Sequence, residues 1–389
     1  MADTSAGATT PPRRRSRAGR ALWLAFLALE LPLLVAVAAG LAAGVLHPAV
    51  FWWAQLCAAF LPYLALALAA TAAGSLIARR WVWFGLHGLL LALVLVRMLP
   101  PRGHDPAPAE PDDLVMMTFN VPQYGPSAEI LRDSMIALVR ARNPAVLALQ
   151  EAWVAGAADP EPERVADHLE GVVAVLPYRL AAAMRDGQST VPVMVREDAV
   201  ELVDVSIVGP GDRREAGESD EVRVHFRWRD RDAVLYNIHL RSYGAAKPWR
   251  DPRLDVLAPA TWLPYLRQYR DAYRARADEV ERLSERIAQE TLPVIVAGDF
   301  NEGPFSWAYR RLRRVAGGGE RTDAFHAAGR GDGRTYHGRR PVVRIDFVLA
   351  DPAFEVVDAF VPASTFSDHR PLVVRLRWAE RDAVQRSSD

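Results

Sequence analysis

The stretch Leu292-Pro-Val-Ile-Val-Ala-Gly-Asp-Phe-Asn301 decides the fold class. A short apolar run bounded by Pro293 and by the pair Gly298-Asp299 predicts a strand buried on both faces, too short and too β-branched for a helix. Just before it, Leu266, Tyr269, Tyr273, Val280, Leu283 and Ile287 recur at three- and four-residue steps between Trp262 and Glu290, the apolar stripe of a helix packed on a core. Outward from this unit, further strands are expected at Leu114 to Val121, Ala145 to Glu151, Val191 to Arg196, Glu221 to Trp228, Ala233 to Leu240, Arg344 to Ala350 and Arg370 to Trp378, and a second helix at Ala128 to Ala141. Many strands and few helices in one chain predict a layered α/β sandwich rather than a doubly wound sheet.

These strands end in polar side chains: Asn120, Glu151, His239, Asp299 with Asn301, Asp346, and Asp368 with His369. Taken singly, any of them is ordinary turn or cap chemistry. Together they offer carboxylate and amide oxygens, the donors of a hard divalent cation such as Mg²⁺. Two histidines beside such oxygens point to proton transfer, because imidazole titrates near neutral pH.

The series TFN (118–120), LQE (149–151), NIHL (237–240), GDFN (298–301), RIDFVL (344–349) and SDHRPL (367–372), in this order, resembles the endonuclease/exonuclease/phosphatase or DNase I-like superfamily. The resemblance implies a four-layered α/β sandwich with a metal site at one edge of its two central sheets. It implies that Glu151 is the principal Mg²⁺ ligand with Asn120 beside it and Asp368 on the metal side, Mn²⁺ or Ca²⁺ being alternatives. It further implies that Asp299 orients the attacking water, that Asn301 holds a phosphate oxygen, and that His369, paired with Asp346, contacts the scissile phosphate. His239 resembles the second histidine of secreted nucleases, sphingomyelinases and inositol phosphatases. The chain departs from the pattern between Leu180 and Arg196, which lacks the glycine-rich strand of many relatives and gives His239 no clear acidic partner. The loop from Arg241 to Thr261 offers Arg241, Lys247 and Arg250 as candidates for a second phosphate or a head group.

The 389 residues are 50% hydrophobic and 24% charged, which excludes a disordered chain, and the 47 basic and 47 acidic side chains cancel. That cancellation is between segments: up to Arg102 there are nine arginines against Asp3 and Glu30, a charge of +7, and the remainder carries −7. The single Cys57 excludes an intrachain disulfide and a multi-cysteine zinc site. Three apolar runs, Ala21 to Leu46, Ala49 to Ala73 and Trp81 to Leu99, are each long enough to cross a bilayer of about 30 Å. Arginines before the first run and at Arg79 and Arg80 are expected to place the N-terminus in the cytoplasm and everything after the third run outside. Glu30, alone inside a run, is expected to hydrogen-bond a neighbouring helix.

The expected organisation is a basic N-terminus (1–20), three transmembrane helices (21–99), a Pro-rich linker (100–113), the catalytic sandwich (114–378) and a tail (379–389). The expected function is a multi-pass, extracytoplasmic Mg²⁺-dependent phosphoesterase whose partners are the lipid bilayer and a phosphate ester, either nucleic acid or a lipid or inositol head group. The composition identifies no protein partner. The −7 charge argues against nonspecific grip on duplex DNA. A phospholipid or sphingomyelin phosphodiesterase and a non-catalytic membrane-tethered binding module stand as alternatives.

Overall fold

The computed structural model describes residues 17–99, 107–121, 128–152, 154–155, 169–182, 188–208, 221–244, 246, 248, 251–255, 257–315, 317–337 and 340–380. Four apolar helices come first: α1 (Arg17–Ala42), α2 (Pro48–Ala59), α3 (Leu61–Ile77) and α4 (Trp81–Met98). The second apolar run is therefore not one straight span. It breaks at Phe60, where α2 and α3 meet at 67°. The cause is Pro62, which has no N–H to continue α2 and is well placed in the first turn of a new helix. Among the described residues, α4 is long and apolar enough to span by itself, and α2 and α3 reach that length only as a bent pair. Glu30 Oε2 lies 2.9 Å from His87 Nε2, and Ser75 Oγ lies 3.4 Å from His87 Nδ1, so one buried polar cluster joins α1, α3 and α4.

The rest of the chain forms two sheets. The first runs β12 (Gly329–Arg330), β14 (Phe354–Phe360), β15 (Leu372–Trp378), β1 (Leu114–Asn120), β2 (Val146–Gln150), β6 (Val193–Arg196), β4 (Tyr178–Ala181). The second runs β11 (Thr322–Asp323), β13 (Asp346–Ala350), β10 (Val294–Asp299), β9 (Arg231–His239), β8 (Val222–Trp228), β7 (Glu201–Ile207). A small ribbon pairs β3 (Val154–Ala155) with β5 (Gln188–Ser189). The remaining helices are α5 (Ala128–Arg142), α6 (Glu170–Val173), α7 (Pro259–Ile287), α8 (Trp307–Arg313) and α9 (Ala324–Ala328).

Strand alternation sorts the apolar residues into layers. On β10, Ile295 and Ala297 face the first sheet while Val294 and Val296 face α7, and on β2 Val146 and Ala148 point inward while Leu147 and Leu149 meet α5. The result is a helix–sheet–sheet–helix sandwich, the expected four layers. Tyr273, Val280, Leu283 and Ile287 are the buried stripe of α7, as the helical spacing predicts. The sequence reading misses the short strands β3, β4, β5, β11 and β12 and the two seven-residue strands β7 and β14, both of which carry a β-bulge, between Leu202 and Asp204 and between Val356 and Asp358.

The helical segment is not separate from the sandwich. Gln55 Oε1 of α2 accepts the Trp307 N–H at 3.0 Å, Arg274 of α7 donates to the Ala49 carbonyl at 3.1 Å, and Phe305 packs into the helical cluster. The loop joining β10 to α8 thus reaches from the sheet edge to the first apolar helices within a few residues.

Candidate active site

Register brings the polar strand ends together. In the second sheet Asp299 of β10 stands opposite Asp346 of β13 on one side and His239 of β9 on the other. Neighbouring strands lie about 4.8 Å apart, so three titratable side chains form one row. In the first sheet Asn120 pairs with Gln150, and Glu151 follows as the first residue past β2. Facing sheets then carry Asn120 and Glu151 onto that row.

Gly298 makes the row possible. Its φ is +142°, and a Cβ there would lie 1.9 Å from the Ile238 carbonyl oxygen of the neighbouring strand. Only glycine lets β10 approach β9 that closely just before Asp299. Glu151 and Asn301 adopt left-handed backbone, with φ of +55° and +51°, turning both side chains out of their strand directions. For residues other than glycine such geometry costs of order 1–3 kcal/mol and collects at functional sites.

Asp299 is the hub. Its Oδ2 accepts the Asn120 side-chain amide at 2.9 Å and lies 3.7 Å from both His239 Nε2 and His369 Nε2, while Oδ1 accepts the Asn301 backbone N–H at 2.7 Å. Asn120 also donates to Glu151 Oε1 at 3.2 Å, and His239 Nε2 lies 3.7 Å from that oxygen. His239 thus faces two carboxylates, Glu151 and Asp299. Burial raises the Asp299 carboxyl above its ordinary range, against the pull of His369 and His239.

His369 Nδ1 lies 2.9 Å from Asp346 Oδ2 in a buried pair. Burial alone would depress the imidazole, but the charges of Asp346 and Asp299 and the Asp346 hydrogen bond outweigh it and raise His369 to about 10. Tyr336 packs its ring against that of His369, centroids 4.8 Å apart.

A family model for the Endonuclease/Exonuclease/phosphatase family matches residues 117–369, a span that begins beside Asn120 and ends on His369. The chain belongs to that family. No curated protein matches it. Among solved structures, the endonuclease/exonuclease/phosphatase from Bacteroides vulgatus is similar at 20% identity and a TM-score of 0.50, over 69% of this chain and 99% of that one. The mannosyl-6-phosphatase of Bacteroides thetaiotaomicron (16% identity, TM-score 0.47, 68% of this chain and 100% of that one) and the human Nocturnin catalytic domain with bound sulfate (15%, 0.47, 69% and 95%) are further matches. At these identities the likeness is one of fold.

Within this family domain, seven of the residues singled out by sequence lie at one sheet edge: Asn120, Glu151, His239, Asp299, Asn301, Asp346 and His369. Asp368 is not among them. Its side chain is exposed, its backbone carbonyl accepts the His337 N–H at 2.9 Å, and its charge helps to raise His369. Asp299, Asp346 and His369 offer ligand atoms within 4.8 Å of one another. Arg241 is half-buried beside α7, its backbone N–H donating to Glu279 at 3.0 Å; Lys247 and Arg250 lie outside the described residues.

Two buried polar atoms at the edge have no hydrogen-bond partner: Asn120 Oδ1 and His239 Nε2. An orphaned acceptor beside Glu151 and Asp299 is a set of hard oxygen donors that fits a divalent cation. Beneath it lies a polar network that the sequence reading passed over. Gln150 donates to Asn237 Oδ1 at 2.6 Å, Asn237 donates to the Leu149 carbonyl at 2.8 Å across the sheet–sheet interface, and Ser367 donates to the Asn120 carbonyl at 2.8 Å. Thr335 Oγ1 accepts the Asp346 N–H at 3.3 Å. Gln150, Asn237 and Ser367 stand inside the motifs LQE, NIHL and SDHRPL, one or two places from a residue already singled out; their position was the available signal.

Proposed function

We propose that the chain is a membrane-anchored, extracytoplasmic, divalent-cation-dependent phosphoesterase that hydrolyses phosphodiester or phosphomonoester bonds. The observation that carries this reading is the convergence on Asp299 of Asn120, His239 and His369, with Asn120 Oδ1 left without a hydrogen-bond partner beside Glu151.

A phosphate ester repels nucleophiles, so its oxygens must be neutralised, a water aimed in line and a poor leaving group protonated. Glu151 and Asn120 Oδ1 would hold Mg²⁺, which when bound neutralises phosphate charge and polarises the phosphorus–oxygen bonds. His369, kept protonated at neutral pH by Asp346 and Asp299, donates a charge-assisted hydrogen bond from Nε2 to a non-bridging phosphate oxygen. Asp299, raised by burial, is suited to accept a proton from the attacking water. Asn301 is fixed by its side-chain donation to the Leu240 carbonyl at 2.8 Å and presents the left-handed turn at which a phosphate oxygen is bound. His239, facing Glu151 and Asp299, assists the leaving group.

The membrane reading rests on α4, on the bent α2–α3 pair and on the arginine distribution. In it α1 runs outward, α2 lies along the outer interface with Phe51, Trp52 and Trp53, and α3 and α4 cross back and out. The 17 residues of α3 span about 25 Å, enough for a thin hydrocarbon core.

The test is a substrate panel on the full chain in detergent with Mg²⁺: an aryl phosphodiester, an aryl phosphomonoester, DNA, sphingomyelin and phosphatidylinositol. Turnover of at least one is expected, and silence on all five returns the non-catalytic binding module to first place. A C-terminal alkaline phosphatase fusion tests orientation; it should be active, and a silent fusion beside an active cytoplasmic reporter overturns the topology.

A further inference from the structure

A small cavity of about 100 Å³ lies between the α1–α2 turn and α8, lined by Gly44, Val45, Trp307, Arg310, Arg311 and Arg314. Small-molecule sites usually occupy about 300–1,000 Å³, so this one suits a single compact group. Three guanidinium groups and an indole ring make that group an anion.

Its arginines differ from their neighbours. Arg313, on the same helix, has Glu320 at 2.7 Å, and the partly buried Arg344 has Asp323 at 2.7 Å. None of Arg310, Arg311 and Arg314 has an acidic partner among the described residues. Nor do they serve to cap the adjacent end of α1. Arg97 already donates to the Leu41 carbonyl at 2.7 Å, and Gln55 donates to the Ala43 and Leu46 carbonyls at 2.9 and 3.1 Å.

The walls are fixed in place. Trp307 is hydrogen-bonded to Gln55 of α2 and packs against the His47 ring at 4.6 Å, while the Arg310 stem lies 3.1 Å from where a Gly44 Cβ would stand. A side chain at Gly44 would close the cavity from the helix side. The α1–α2 turn that forms one wall leads into α2, on which Phe51 and Trp53 are exposed, and it stands at the level of a bilayer's headgroups if the helices cross as proposed.

We propose that this cavity binds the phosphate of an anionic phospholipid headgroup and so seats the catalytic domain on the outer leaflet; the proposal rests on the membrane reading above but not on catalysis. Because α8 follows directly on the Asp299–Asn301 loop, an occupied cavity also braces the loop that carries the hub of the site.

Native mass spectrometry of the detergent-solubilised full chain tests it, with phosphatidylglycerol, phosphatidylcholine and inorganic phosphate as separate probes. Wild type should retain phosphatidylglycerol several-fold over phosphatidylcholine. The combined variant Arg310→Ala, Arg311→Ala, Arg314→Ala should fall to the phosphatidylcholine level, whereas Arg253→Ala, Arg270→Ala, Arg334→Ala, which removes the same charge elsewhere, should retain lipid like wild type. Should the first triple variant not fold, the single variants Arg310→Ala and Arg314→Ala, whose side chains are exposed, should each lower retention about fivefold. Equal retention of the two lipids, or undiminished retention in the arginine variants, overturns the proposal. Arginine-dependent retention of inorganic phosphate without preference for phosphatidylglycerol overturns the lipid assignment and makes the ligand a free phosphate. Hydrolysis of an aryl phosphodiester, measured on the same preparations, separates a failure of the catalytic reading from a failure of this one.

Discussion

Asp299 gathers its neighbours because two sheets put strand ends around one carboxylate, and the buried charge of that carboxylate must be met. Asp346 does the same for His369 from the adjacent strand. Replacing Asp346 by Asn keeps the shape and removes a charge that raises His369, so the imidazole loses its proton at lower pH. The alkaline limb of activity, set by loss of the His369 proton, should move down by more than one pH unit in Asp346→Asn, read from rate–pH profiles; an unmoved limb contradicts the role given to His369. The seven converging residues were visible in the sequence because each sits in a short polar motif at the end of an apolar run. The left-handed turns at Glu151 and Asn301 were not, since nothing in a sequence marks a glutamate as positive-φ, and Asn301 is only compatible with it. Nor was the exposure of Asp368 beside the buried His369 legible. In a strand-end turn two adjacent residues point to different sides, and His369 takes the inward one.

At the scale of the elements, alternation and helical spacing carried the reading as long as they stayed regular. Central strands β1, β2, β9, β10, β13 and β15 were legible because both faces are buried and their apolar runs are continuous. Strands β7 and β14 were lost because each bulge inserts one residue and reverses the alternation part-way. The break at Phe60 was hidden by the opposite effect, an apolar run so continuous that Pro62 was its one signal. Beside the site, Arg344 donates to Asp323 at 2.7 and 2.9 Å, tying the segment before β13 to the start of α9, with Tyr309 donating to the same carboxylate at 2.6 Å. Burial alone would raise Asp323, but the Arg344 charge and hydrogen bonds from Arg344, Tyr309 and the His326 amide hold its carboxyl below the usual range. That stability is therefore complete above about pH 4 and is lost as pH falls through the folded value. Arg344→Ala should cost about 3–5 kcal/mol at neutral pH, and the gap from wild type should close as pH falls below the ordinary carboxylate range in acid-unfolding curves.

As a whole molecule, the protein joins two objects of opposite charge, and the junction is at the active-site side of the sandwich. The loop that follows Asp299 and Asn301 runs through Phe305 into the helical cluster and through Trp307 onto α2. If α2 lies on a bilayer as proposed, a substrate at that surface is close to the catalytic edge, which favours membrane-proximal phosphate esters among the substrates proposed. This contact was not legible in the sequence, because it joins residues about 250 positions apart through a backbone N–H and a single glutamine. The central claim is that the oxygens and imidazoles around Asp299 form a cation-dependent phosphoesterase site. Its most direct test is hydrolysis of an aryl phosphodiester by the full chain, with Mg²⁺, after chelation and after Mg²⁺ is restored, beside Glu151→Gln and His369→Ala. Chelation should abolish turnover reversibly, and each variant should lose about 10²–10³ in kcat while keeping the wild-type melting profile. Turnover that survives both chelation and the two substitutions would contradict the account.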